Sequence, residues 1–164
     1  MFRRYCGTWM LAFVIGFGSS QAIARSAPSL IARSDVTVAT VRHLHKSNQR
    51  WIEINLSSQR LIAWEGRKPV YAILVSTGKA ATPTQPGVFA IQTRDRYAHM
   101  KGPGYDVSDV PYTMYYSGSY AIHGAYWHRR FGRPVSHGCI NLAVNHARWL
   151  FNWARIGTPV IVRR

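Results

Sequence analysis

A length of 164 residues suits one domain rather than two. With 21 Lys and Arg against 6 Asp and Glu, the formal net charge is +15, which calls for an anionic partner. The chain holds only two cysteines, Cys6 and Cys139.

Residues 1–24 read as a secretory signal peptide. "MFRR" supplies a basic start, Trp9 to Phe17 an apolar run of nine residues, and Ala22-Ile23-Ala24 an A-x-A cleavage site, with cleavage after Ala24. The apolar run is about half of the roughly 20 residues that a membrane span needs. An uncleaved signal serving as an anchor is therefore the alternative, not the first reading. Export, to the periplasm or cell wall, turns the charge argument away from nucleic acid and toward an anionic polymer outside the membrane, such as the wall or lipid headgroups. Beyond Ala24, 140 residues remain, with 19 basic against 6 acidic side chains and a formal charge of +13. Cys6 leaves with the signal, so Cys139 becomes the single thiol and cannot form an internal disulfide. An odd cysteine in an oxidising compartment is a candidate reactive thiol. A buried, inert cysteine is the bland reading, and the neighbours His137 and Gly138 speak against it.

Residues 25–48 show no sustained period and carry scattered bases, and they read as a spacer with a short strand at 36–41. From Arg50 the pattern is that of strands. "RWIEINL" and "RLIAWEG" flank a "SSQ" turn, "KPVYAILVSTG" ends at Gly78, and "GVFAIQT" follows a turn-rich stretch with two prolines. Residues 94–110, with a Gly-Pro-Gly, lack a period and read as a lid or binding loop, or as a plain surface excursion. "PYTMYYSG" and "SYAIHG" are two further strands. In "AVNHARWLFNWARIG", Ala147, Leu150, Phe151 and Ala154 follow helical spacing, and Gly157 and Pro159 end the helix. Trp149 and Trp153 widen its apolar face as core packing rather than as a ligand platform. "TPVIV" closes the chain as a strand. The expected fold is thus mainly β, a sandwich or barrel with one α-helix in the C-terminal half.

The chemistry lies between residues 123 and 141. His123, His128, His137 and Cys139 fall within 17 residues. A thiol becomes a nucleophile as the thiolate, which a base or nearby cation promotes. Gly138 lets another backbone or a substrate approach, the helix that follows favours negative charge if its start points there, and Arg129, Arg130 and Arg133 add positive potential. These features favour a thiolate at neutral pH. His123, at the end of a strand, is the available base. No Asp or Glu follows Asp109, so either a distant acid or a backbone carbonyl, that of Gly124, must orient it. N–H groups of Gly138 and Cys139 offer an oxyanion hole. Zinc bound by two or three His and one Cys is the alternative, but His-x-Cys is an unusual ligand pair and no acid is near to act as base. His128 reads as a surface or loop residue, His99 and His146 have no visible partner, and His43 and His45 sit in the spacer.

The segment "IHGAYWHRRFGRPVSHGCINL" resembles the active-site signature of the L,D-transpeptidase (YkuD-like) catalytic domain, an upstream His-Gly followed by Ser/Thr-His-Gly-Cys. The stretch "IEINLSSQRLIAWEGRKPVYAILVSTGKAATPTQPGVFAI" is similar to the opening hairpin, "STG" strand end and Thr-Pro…Gly-x-Phe segment of that family. The resemblance covers roughly residues 50–163 and places the catalytic domain at 49–164. It implies a mainly β domain acting on peptidoglycan stem peptides as donor and acceptor. The cysteine attacks the bond before the terminal D-alanine of a tetrapeptide stem, and the thioester passes to an amine on another stem or a wall-attached protein. By that match Cys139 is the nucleophile and His123 the base. Ser136 and His137 support the site, Gly138 and Cys139 supply oxyanion N–H groups, and Asn141 orders the turn. Tyr116, Tyr126 and Trp127 are expected to wall the substrate. The 12 residues between His123 and Ser136 are few for the family, and that loop contributes to substrate access. No wall-binding module is recognisable. The expected protein is a monomer that needs no cofactor or metal and binds no nucleic acid. An L,D-carboxypeptidase, which gives the thioester to water, and a non-catalytic wall-binding protein are the alternatives.

Overall fold

The computed structural model describes residues 30–164; the expected signal at 1–24 and the first residues of the spacer lie outside the described residues. In chain order the elements are α1 (Leu30–Lys46), β1 (Arg50–Asn55), β2 (Arg60–Glu65), β3 (Lys68–Leu74), β4 (Gly87–Ala90), β5 (Thr93–Gly102), β6 (Tyr105–Ser117), β7 (Tyr120–Gly124), β8 (Ile140–Leu142), α2 (Val144–Trp153) and β9 (Pro159–Arg163). Among the described residues the fold is mainly β, with two sheets and two helices. One sheet has the order β3-β2-β1-β9-β4, the other β5-β6-β7-β8.

Alternation along the strands explains the layering. Ile52, Ile54, Leu61, Ala63, Ile73, Val160 and Val162 form a single core with Met114, Ile122, Ile140 and Leu142 of the second sheet and with Ala147, Leu150 and Ala154 at α2. The intervening positions of the first sheet are buried as well. Trp51 and Ile161 pack with Leu44 of α1, flanked by Val41 and Trp64. Glu53, on that same face, is only 5% exposed; it accepts from Trp64 Nε1 at 2.9 Å and pairs with Arg163, which offsets the cost of burying its charge.

Two expectations change here. Residues 36–41 are helical, not a strand. The β-branched run "VTVATV" favours a strand locally, but Val41 and Leu44 cover Trp51 and Ile161 only if the segment coils, and tertiary packing overrides a weak propensity. His45 sits in this contact, edge-on to Trp51 at 5.2 Å and to Trp64 at 5.1 Å. Residues 94–110, expected to be irregular, form the body of the β5–β6 hairpin. Their half-exposed, polar composition is that of a two-stranded flap with no buried face along most of its length, so no hydrophobic period marks it. The expected helix at α2 is present, and Trp149 and Trp153 pack against the core, with Tyr71 stacked on Trp149 at 3.9 Å. Among the described residues, no helix is long and apolar enough to cross a membrane.

Candidate active site

Two short parallel strands position the chemistry. β7 and β8 pair with Ile122 opposite Ile140 and His123 opposite Asn141. Registered residues of a parallel pair point to the same face, and side chains repeat every second residue. His123, Asn141 and, two residues before it, Cys139 therefore share one face. They line a cleft of about 400 Å³ together with Ser136, His137 and Trp127.

The turn before β8 is held from both sides. The Ser136 hydroxyl accepts the Gly138 N–H at 3.0 Å and donates to the Cys139 carbonyl at 2.6 Å. Thr84 donates its hydroxyl to the Gly138 carbonyl at 2.8 Å while accepting the Gly78 N–H at 2.9 Å. Gly138 has φ +118°, and a Cβ there would meet the Tyr120 ring at 2.3 Å, so no larger residue fits. Of the two N–H groups expected to form an oxyanion hole, that of Gly138 is already committed to Ser136. The Cys139 N–H has no partner among the described residues.

His123 is buried, and its Nδ1–H donates to the Gly124 carbonyl at 2.9 Å. The backbone carbonyl, rather than a distant acid, thus fixes the tautomer and leaves Nε2 with its lone pair. Burial pushes the imidazole down to about 4, against the pull of the Gly124 carbonyl and with help from His128, so the ring is neutral at pH 7. Cys139 is partly exposed, with its thiol 3.8 Å from the Ser119 carbonyl. Burial of the sulfur raises the thiol above its ordinary value, and the Ala121 N–H works the other way. Burial thus favours a neutral thiol beside a neutral imidazole, against the thiolate that the flanking cations favour in the sequence. β8 separates Cys139 from the start of α2, and a helix dipole fades within its first turn. Arg129, Arg130 and Arg133 are largely solvated and do not offset the desolvation.

The other expected residues separate into groups. His137 is exposed; its Nε2 accepts from Lys79 Nζ at 3.2 Å, and the Tyr105 ring of the hairpin lies 4.9 Å away. Trp127 lines the cleft with its ring 5.8 Å from that of His123. Tyr126 does not line the cleft: it is 58% exposed, and its hydroxyl donates to the Ser108 carbonyl at 2.9 Å, tying this segment to the flap. Tyr116 is 2% exposed and packs on Phe89 in the core. Its neighbour Tyr115, facing the opposite side of β6, lines the cleft instead. The expected wall residue and the observed one thus differ by one strand position.

His128, expected as a plain surface or loop residue, lies on a loop that folds back so that its Nε2 meets the Asn141 amide at 3.0 Å and its Nδ1 accepts the Arg130 N–H at 3.1 Å. Burial lowers its basicity too. The sequence gives no periodic sign of this contact, which forms only when residues 125–139 return to β8. His99 and Lys101 also reach the cleft from the hairpin and share Asp106 between them. Among the described residues, no three His, Cys, Asp or Glu side chains converge to hold a metal ion.

Comparison with known proteins places these features. The L,D-transpeptidase catalytic domain (YkuD) profile matches residues 49–162. YciB of Bacillus subtilis (strain 168), provisionally named an L,D-transpeptidase, is 23% identical over 131 residues, 71% of this chain and 67% of that protein. Among solved structures, an Enterococcus faecium L,D-transpeptidase in a cysteine-to-serine form is 29% identical, with a TM-score of 0.67 over 71% of this chain and 50% of that one. LdtMt1 in complex with imipenem is 25% identical, with a TM-score of 0.66 over 70% and 58%. The chain thus spans between half and three-fifths of the length of these two structures.

Proposed function

Because this chain belongs to the L,D-transpeptidase catalytic domain family, we propose that it is an exported peptidoglycan L,D-transpeptidase, with residues 1–24 as its signal and 49–164 as its catalytic domain. The observation that carries the reading is a neutral imidazole, its Nδ1–H bound to the Gly124 carbonyl, on the same sheet face as the thiol. In this mechanism Nε2 of His123 takes the Cys139 proton as Sγ attacks the carbonyl carbon before the terminal D-alanine of a donor tetrapeptide stem. The oxyanion of the tetrahedral intermediate accepts the Cys139 N–H. Collapse breaks the C–N bond, and the imidazolium returns its proton to the departing D-alanine amine, leaving a thioester on Cys139. An acceptor amine then attacks the thioester, loses its proton to His123, and regenerates the thiol as the new amide forms.

A resting thiol suits this cycle. With the proton moving to His123 during the attack, the cycle does not require a standing thiolate, the form most open to oxidation. The long hairpin closing one side of the cleft and the net positive charge support an anionic peptide polymer as substrate.

Incubation of the purified protein with tetrapeptide muropeptides tests the reading by mass spectrometry. Cross-linked dimers with release of D-alanine support transfer, and tripeptides alone would make the enzyme an L,D-carboxypeptidase. A Cys139→Ala protein that matched wild type would remove both enzyme readings and leave a wall-binding protein. Exposure to a carbapenem should leave a covalent adduct on Cys139 that a metal chelator does not prevent.

A further inference from the structure

Among the described residues no acidic side chain lines the cleft, and Asp106 is already shared by His99 and Lys101, which do line it. Lys79 takes part in no ion pair among the described residues. Its ammonium instead donates to His137 Nε2 at 3.2 Å, two residues from the nucleophile. An ammonium carries three donors, and a neutral imidazole spends only one of them.

The position of Lys79 is built, not incidental. Its backbone N–H donates to the Ser136 carbonyl at 3.1 Å, and its own carbonyl accepts the Thr82 N–H at 2.9 Å. Thr82 also donates its hydroxyl to the Ser136 carbonyl at 3.2 Å. Gly78 before it packs so tightly that a Cβ would lie 2.2 Å from the Thr82 carbonyl oxygen. Residues 78–84 are thus laced to the turn at 136–138, which holds the Lys79 backbone, and its side chain meets the cleft at His137.

We propose that Lys79, with the N–H that His137 retains, is a carboxylate-binding site that anchors the donor peptide beside the nucleophile. The inference rests on the transpeptidase reading. The carboxylate is one that flanks the scissile bond, carried either by the C-terminal residue or by the side chain of the third, diamino-acid residue. A charge-assisted hydrogen bond of this kind holds the donor in the ground state as well as in the transition state, so its loss falls mainly on KM.

The test compares wild type, Lys79→Met and Lys79→Arg on three donors: the free tetrapeptide, its C-terminal amide, and the peptide with its third-residue side-chain carboxylate amidated. Release of D-alanine or D-alaninamide is followed. On the free tetrapeptide, Lys79→Met is expected to raise KM by about tenfold or more, with kcat little changed, while Lys79→Arg keeps most of the affinity. One of the two amides should show the same loss already in wild type and no further loss in Lys79→Met, which identifies the carboxylate. Equal effects of Lys79→Met on all three donors, or none on any, would overturn the anchor. If wild type released no D-alanine and formed no thioester on Cys139, the transpeptidase reading itself would fall, and the anchor with it.

Discussion

Protonation of His123 should couple the stability of the fold to pH, in a direction set by its burial. In the unfolded chain the ring titrates near its ordinary 6.5, and in the folded protein near 4. Above pH 6.5 neither state holds the proton. Between 6.5 and about 4 the unfolded chain takes up a proton that the folded protein refuses. Stability is therefore lost as pH falls through this window, and the loss is complete once the folded protein also protonates, below about 4. At about 1.4 kcal/mol per pKa unit the full difference is about 3 kcal/mol, a sizeable share of the roughly 5–15 kcal/mol that holds a typical domain folded. Urea denaturation of wild type and His123→Gln at pH 7, 5.5 and 4 measures it. His123→Gln should start less stable at pH 7, because the bond to Gly124 changes, but should lose about 3 kcal/mol less on going to pH 4. Half-buried His128, lowered in the same direction, contributes to both proteins and largely cancels. Parallel pH profiles for the two proteins would refute the claim that His123 is buried neutral, and with it the resting state from which the proton transfer begins.

Gly138→Ala should cost both stability and activity, because the new Cβ meets the Tyr120 ring at 2.3 Å in a backbone conformation that L-residues avoid; thermal melting and Cys139 acylation together check this. Thr84→Val removes the hydroxyl that joins Gly78 to Gly138 and leaves a buried donor and acceptor unpaired, an expected cost of about 1–3 kcal/mol for each group by denaturant titration. Leu44→Ala should destabilise by about 2–5 kcal/mol if α1 is part of the folded unit, and a change within error would show that it is not. Alkylation of Cys139 by iodoacetamide should keep accelerating from pH 7 to beyond 9, because burial raises the thiol; a plateau reached by pH 7 would point to a resting thiolate.

Much of this architecture is legible in the chain because its strands announce themselves. β1, β2 and the end of β6 combine apolar residues with turn signals, and the helical spacing of Ala147, Leu150 and Phe151 marks α2. His123 and Cys139 could be named because their types, spacing and motif context are specific. What escaped was set by contacts distant in sequence. α1 has little local sign, and its clue lay elsewhere: Trp51 and Ile161 are apolar at the parity opposite to the core, which means that something must cover the outer face of the sheet. The hairpin lacked a pattern because both its faces are largely solvated. The upward push on the Cys139 thiol is not legible in the chain, because charges count from sequence while desolvation does not. Tyr116 and Tyr115 differ only in the parity of one strand near a register shift.

The pairing of β7 with β8 sets the spacing of base and nucleophile through backbone hydrogen bonds of a sheet rather than through the loop that joins them. Exposed side chains of the intervening loop, such as Arg130 at the cleft, can therefore change without disturbing that pairing, whereas Trp127, beside the His123 ring, and His128, bonded to Asn141, cannot. Selectivity and reactivity are in this sense separable only at the exposed positions of the loop, which can drift, or be engineered, while the strand pairing stays fixed.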